Sequence, residues 1–224
     1  MSELHFKPLS VTLSASIWNV LPFPGKRVMV IEQRDEVRRA VSFSAFDFED
    51  QEFLWRDVSV SERWWVNLVG VTDDRIVLKV FESTENPDKT SFLYLTAEDG
   101  KMTDPGIQQN QELNTNVLLQ PFQYLEGEKD FETVKSFLKS KIETKPCLGV
   151  EYLEYEGYII ISYYSGDPAA YNNQLVIFNS SGECLYQEEI GTNLKGIGVN
   201  TFFMTSGYLF FVKNKTELVT FRIV

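Results

Sequence analysis

The sequence predicts an all-β protein, an array of four or five antiparallel β-meander units with one inserted α-helix. Three observations point there. The longest apolar runs are rich in Val, Ile, Phe and Tyr, and the 224 residues include 17 Phe and 10 Tyr, which is strand composition. Tight-turn residues punctuate those runs at short intervals. One pattern also recurs: "RIVLKVFESTENPDKTSFLYLTAEDGKMTD" (Arg75 to Asp104) reads apolar run, polar loop, apolar run, turn, and so does "YIIISYYSGDPAAYNNQLVIFNSSGECLYQ" (Tyr158 to Gln187).

Aligned on their turns, four segments match: "IWNVLPFPGKRVMVIEQ" (Ile17 to Gln33), "WVNLVGVTDDRIVLKVF" (Trp65 to Phe81), "GVEYLEYEGYIIISYY" (Gly149 to Tyr164) and "GVNTFFMTSGYLFFVK" (Gly198 to Lys213). Each reads strand, short turn, strand. The turns carry Pro-Gly-Lys, Asp-Asp, Glu-Gly and Ser-Gly, which tolerate positive φ or bond their own backbone, as a tight hairpin requires. A polar loop and a third strand follow each hairpin: "AVSFSAFDFEDQEFLW", "SFLYLTAEDGKMTD", "QLVIFNSSGECLYQ" and "ELVTFRIV". The first three turn once more, on Glu-Asp-Gln, Glu-Asp-Gly and Ser-Ser-Gly, into a fourth strand.

Four short antiparallel strands in about 45 residues make a β-meander of blade size. The units run over residues 13–58, 59–107, 146–190 and 191–224. With Arg27, Arg75, Tyr158 and Tyr208 as equivalent positions, the spacings are 48, 83 and 50 residues. The wide gap holds an insertion, 108–145, long enough to replace a fifth unit or to decorate a neighbour. Within it, after Gly127, Phe131, Val134, Leu138 and Ile142 recur at helical spacing, and Pro146 stops continuation. This helix has one apolar face to bury, which suits the rim or an open edge of the sheets.

Each hairpin needs a neighbour to bury its second face, and the quasi-period favours a β-propeller-like stack over a sandwich or barrel built from the same hairpins. The strands "SFLYLTAEDGKMTD" and "QLVIFNSSGECLYQ" resemble the outer strands of β-propeller blades, where an apolar strand runs through an Asp-x-x-Gly-type turn into a strand ending in an aromatic residue. The Gly-His and Trp-Asp marks of WD repeats and the kelch double glycine are absent from the sequence. "GVEYLEYEGYIIISYY" with "KGIGVNTFFMTSGYLFFVK" is similar to an uncharacterised bacterial family, a resemblance that brings no catalytic residue with it.

Composition narrows the chemistry. A net charge of -11 and a pI near 4.7 repel a phosphate backbone, so no nucleic-acid partner is expected. "MSELHFKPLSVTLSASIW" opens acidic and breaks its apolar positions with Ser and Thr, unlike an export signal, and no apolar run approaches the roughly 18 residues of a membrane span. A cytoplasmic protein is expected, with Cys147 and Cys184 as buried, unpaired thiols. His5 is the single histidine and lies in a segment expected to fray, so a Ser-His or Cys-His nucleophile is not expected. With no Cys-x-x-Cys, no His-x-x-x-His and no clustered glycines, neither a metal site nor a cofactor is expected.

Carboxylates and aromatics are the remaining candidates for a site. Asp35, Glu82 and Asp167 sit in loops after each hairpin's second strand, which share one rim if the units share one orientation. Convergent carboxylates bind Ca²⁺ or serve as acid and base on a glycosidic bond, while scattered ones are ordinary solvated loop charge. Trp64 and Trp65 are consecutive and must point to opposite faces, as must Tyr163 and Tyr164. The member of each pair outside the core is either a sugar or peptide platform or a core cap. "RDEVRR" (Arg34 to Arg39) reads as a solvated loop.

The expected function is a non-catalytic binding or protein-interaction module, its partner a protein or a small carbohydrate or peptide ligand, with no catalytic residue assigned. Its ligand-binding candidates are Asp35, Glu82, Asp167, Trp64, Trp65, Tyr163 and Tyr164. The alternatives are a carboxylate-dependent glycoside hydrolase or calcium-binding protein on the same scaffold, and a subunit whose acidic surface and helix dock on a larger assembly.

Overall fold

Four antiparallel sheets and one helix account for the regular structure of the computed structural model, which describes residues 6–60, 64–82, 88–104 and 118–223. The chain opens with strand β1 (Leu9–Thr12), whose partner lies at the far end of the sequence. The first sheet follows in chain order: β2 (Ser16–Pro22), β3 (Val28–Asp35), β4 (Ala40–Asp47) and β5 (Glu52–Val58). The second repeats it with β6 (Val66–Val71), β7 (Arg75–Phe81), β8 (Thr90–Thr96) and β9 (Met102–Thr103).

The third sheet has five strands in the order β10 (Phe122–Leu125), β11 (Cys147–Tyr155), β12 (Tyr158–Asp167), β13 (Ala170–Phe178) and β14 (Cys184–Leu194), with helix α1 (Lys129–Ile142) between β10 and β11 in sequence. The fourth is β15 (Phe202–Thr205), β16 (Tyr208–Lys213), β17 (Glu217–Arg222) and then β1. All four expected hairpins form, and Arg75, Tyr158 and Tyr208 open their second strands; Arg27 stands one residue before β3.

Two compact units emerge. The first holds Leu13–Leu118, and the second joins the N-terminal segment through Thr12 to the chain from Leu119 onward. In the first unit, Phe23, Val30, Val41 and Phe43 of the first sheet region pack on Leu68, Ile76, Leu78 and Leu95 of the second sheet. In the second unit, Ile160, Leu175 and Ile177 pack on Phe202, Leu209, Phe211 and Phe221. These alternating inward positions are what a meander needs to bury a face against a neighbour.

The turns follow from local chemistry. Glu156 and Gly157 have φ of 50° and 82°, and Ser206 and Gly207 have 51° and 78°, the paired positive φ of a type I′ hairpin. At the turn into the last strand of each of the first three sheets, Asp47 Oδ1 accepts the N–H of Glu49 and of Asp50, Asp99 Oδ1 that of Lys101, and Asn179 Oδ1 those of Ser181 and Glu183. These side chains substitute for backbone acceptors and fix the turn.

Three expectations are corrected. The N-terminal segment does not wholly fray: β1 pairs with β17, Leu9 opposite Thr220 and Val11 opposite Leu218, and supplies the strand that the last repeat lacks. His5 itself lies outside the described residues. The insertion adds β10 and α1 to the third sheet, and the helix covers a face rather than an edge, because Phe131, Val134 and Leu138 pack on Val150, Ile161, Val176 and Phe178 from three successive strands. The burial of those three helical residues is as the periodicity predicts. Acidic Asp130 and Glu132 in the first turn and Lys139 and Lys141 in the last complement the helix dipole; the helix ends at Glu143, φ 54°, before Pro146 is reached. Cys147 is half-buried, but Cys184 is exposed, since it opens β14, an outer strand of its sheet.

Candidate functional site

The most elaborate polar arrangement of the first unit starts from an irregularity in pairing. Ile17 faces Gln33 and Asn19 faces Glu32, so Trp18 is an extra residue in β2, a β-bulge. A bulge re-aims the side chain it carries. Here the indole is 60% exposed and lies over Arg34, with the guanidinium carbon 4.6 Å from its ring centre. The Trp64 ring centre lies 5.1 Å from the same guanidinium carbon. Arg34 is thereby within reach of two indoles, at distances where cation and ring quadrupole attract.

Arg34 is fixed by more than stacking. Its Nε donates to Glu32 Oε1 at 2.8 Å, and Nη2, 2.7 Å from the same oxygen in the ion pair, donates to the Val66 carbonyl at 3.0 Å and to Asn67 Oδ1 at 2.7 Å. Glu32 Oε2 in turn accepts the Leu68 N–H at 2.8 Å. Asn19 Nδ2 donates to the Leu68 carbonyl at 3.0 Å. The ion pair is buried, with Arg34 only 5% exposed; burial pushes the Glu32 carboxyl upward, opposed by the Leu68 amide and by Arg34. A pair of this kind is costly to desolvate and strongly directional once formed. It joins β3 to β6 and gives the exposed Trp18 ring a rigid backing.

The reading of Arg34 as part of a solvated loop is therefore corrected. β3 runs through Asp35, so Arg34 is an inward strand position and the loop begins only afterward. Sequence offered one signal, now visible: Glu32 and Arg34 interrupt an apolar strand, "VMVIEQRD", two residues apart and so on one face. Trp18 carried no such mark, because a bulge depends on the register of two strands.

The expected site residues take varied places. Trp64 packs partly into the core of the first unit, and Trp65 is 47% exposed; both stand just before β6. Asp35 Oδ1 accepts the N–H of Val37 and of Arg38, closing its own turn, and Oδ2 lies 3.6 Å from Arg38. Glu82 pairs with Lys89. In the second unit Asp167 Oδ1 accepts the Ala169 N–H at 2.8 Å. Among the described residues no three of His, Cys, Asp and Glu gather as a metal would require.

Tyr163 and Tyr164 are each only 2% exposed and lie on opposite faces. Tyr163 packs beneath α1 and accepts a hydrogen bond from Gln187 Nε2 at 3.4 Å, whereas the Tyr164 hydroxyl accepts the Gly198 N–H at 2.7 Å. Burial raises both hydroxyl pKa values. Neither ring presents a face to solvent.

A family model described as a domain of unknown function (DUF4905) matches residues 24–103, the stretch from the β2–β3 turn through β9, which includes Glu32, Arg34, Trp64 and Trp65. No curated protein matches the chain. Among solved structures it is similar to a crystal structure of a member of the DUF4221 family from Bacteroides vulgatus, at 10% identity over 96% of each chain and a TM-score of 0.27, a superposition too loose to carry an argument about the fold. Over residues 24–103 the chain is thus similar to an uncharacterised family. No helix among the described residues is long and apolar enough to cross a membrane.

Proposed function

We propose that the protein is a non-catalytic binding module and that the exposed indole of Trp18, backed by Arg34, is its platform for a carbohydrate. The single observation that carries this reading is the bulge at Trp18, which spends a strand irregularity to expose a large indole and then braces it with a buried guanidinium. Sugars stack their C–H faces on such rings, and a rigid aromatic loses little conformational entropy on contact. The local engagement of Asp35, Glu82 and Asp167 in turns and ion pairs does not favour the hydrolase or calcium reading.

The scaffold we infer is propeller-like. Three sheets are consecutive meanders, and β1 completes the fourth from the opposite end of the chain, as an N-terminal strand does when a ring of blades is closed.

The test is a panel of oligosaccharides titrated against the chain by intrinsic tryptophan fluorescence and by melting midpoint, which a true ligand raises through mass action. At least one sugar is expected to bind, and Trp18→Ala to abolish that response. Binding that survives Trp18→Ala sinks the proposal, as does a panel with no response in which short peptides bind instead.

A further inference from the structure

Within the second unit a cleft of about 620 Å³ opens where the third and fourth sheets present their hairpin turns. The volume is that of a small-molecule site, for which roughly 300–1,000 Å³ is typical. Its walls are fixed. The type I′ turns at Glu156–Gly157 and Ser206–Gly207 form two sides. Tyr155 and Tyr158 rest on the core shared by the two sheets, and Phe6 meets the Tyr158 ring edge-on at 5.9 Å.

The charges in this cleft set its chemistry. Glu156 and Arg222 are its ionisable carboxylate and guanidinium, and neither side chain makes a hydrogen bond or ion pair with another described residue. Leu185 and the tyrosine rings supply apolar surface, and Ser206 adds a hydroxyl. A purely anionic ligand would meet Glu156, and a purely cationic one would meet Arg222. A ligand carrying both charges satisfies both walls.

We propose that this cleft binds a small zwitterion of amino-acid or dipeptide size, with its carboxylate on Arg222, its ammonium on Glu156 and its side chain against Tyr155, Tyr158 and Leu185. The site is separate from the Trp18 platform and does not rest on it.

Free L-amino acids and dipeptides, titrated calorimetrically against the full chain, test this directly. At least one should bind, and Arg222→Gln and Glu156→Gln should each weaken it at least about tenfold, the loss expected of one charge-assisted hydrogen bond. Both positions are exposed, so the variants should keep the wild-type melting midpoint. Amidating the ligand's carboxylate should weaken binding to wild type but cost nothing further in Arg222→Gln; acetylating its amine should behave likewise with Glu156→Gln. Trp18→Ala should bind the zwitterion as wild type does, which separates this result from that of the oligosaccharide panel. The proposal is overturned if no member binds at millimolar concentration, if binding survives both substitutions, or if blocked ligands bind as well as their parents.

Discussion

The Glu151 carboxylate accepts the backbone N–H of Thr201 at 2.8 Å, and so ties the third sheet to the segment that begins the fourth. It also accepts the Asn200 N–H and the Thr201 hydroxyl, which itself bonds Ser162 Oγ at 2.8 Å. Glu32 does similar work in the first unit when it accepts the Leu68 N–H. The difference is that Glu32 has Arg34 beside it, and Glu151, 1% exposed, is bonded by neutral donors.

That contrast predicts a pH dependence. Desolvation outweighs the Thr201 and Asn200 hydrogen bonds and holds the Glu151 carboxyl above its ordinary 4.5. The folded chain then binds this proton more tightly than the unfolded chain. The resulting contribution to stability is fully present below the unfolded value and is lost as pH rises through the folded one. The stability of wild type minus that of Glu151→Gln should therefore fall as pH is raised from about 4.5 toward neutrality, measured by urea unfolding at a series of pH values. A signed difference that rises with pH would mean that the hydrogen bonds win over desolvation.

Arg34→Ala should cost about 3–5 kcal/mol, the price of leaving a buried carboxylate, Glu32, without its cation. The paired change Glu32→Leu with Arg34→Met should cost less than Arg34→Ala alone, since it removes both charges and fills the space. Denaturant midpoints of the two variants decide the matter, and a double variant worse than the single would show that the Val66, Asn67 and Leu68 contacts matter more than the charge.

Leu138→Ala should cost roughly 2–5 kcal/mol, because its fully buried side chain fills the contact between α1 and the third sheet. An unchanged urea midpoint would mean that the helix is not coupled to unfolding of the unit.

Removing the residues through Thr12 should strip β17 of one of its two partners and leave it as an open edge of the fourth sheet. Amide exchange in β17 should accelerate while that in β7 does not, since β7 belongs to the other unit. Equal protection in the truncated and full chains would show that β1 contributes nothing to the sheet.

Gly100→Ala should destabilise by about 1–3 kcal/mol. Gly100 has φ +67°, and a Cβ there would stand 2.8 Å from the Trp55 ring, whose Nε1 is anchored to the Ala97 carbonyl at 3.0 Å. The indole has no easy retreat. A neutral melting midpoint would show that the turn can relax.

Much of this molecule is local in origin and was legible in the chain. Strand composition, the Gly- and Asx-bearing turns, the four hairpins and the helical period of Phe131, Val134 and Leu138 each depend on neighbours a few residues away, so the sequence determined the elements and their order. What tertiary structure alone decided involves residues far apart in the chain: the pairing of β1 with β17, the docking of α1 on a sheet face, and the closing of Glu151 on Thr201. The Trp18 platform belongs with these. A bulge exists only in the register between two strands, and Arg34 becomes a brace rather than a loop charge only when Glu32, Trp64 and the Val66 carbonyl are brought around it; alternation along one strand cannot encode a contact whose partners arrive from the next sheet.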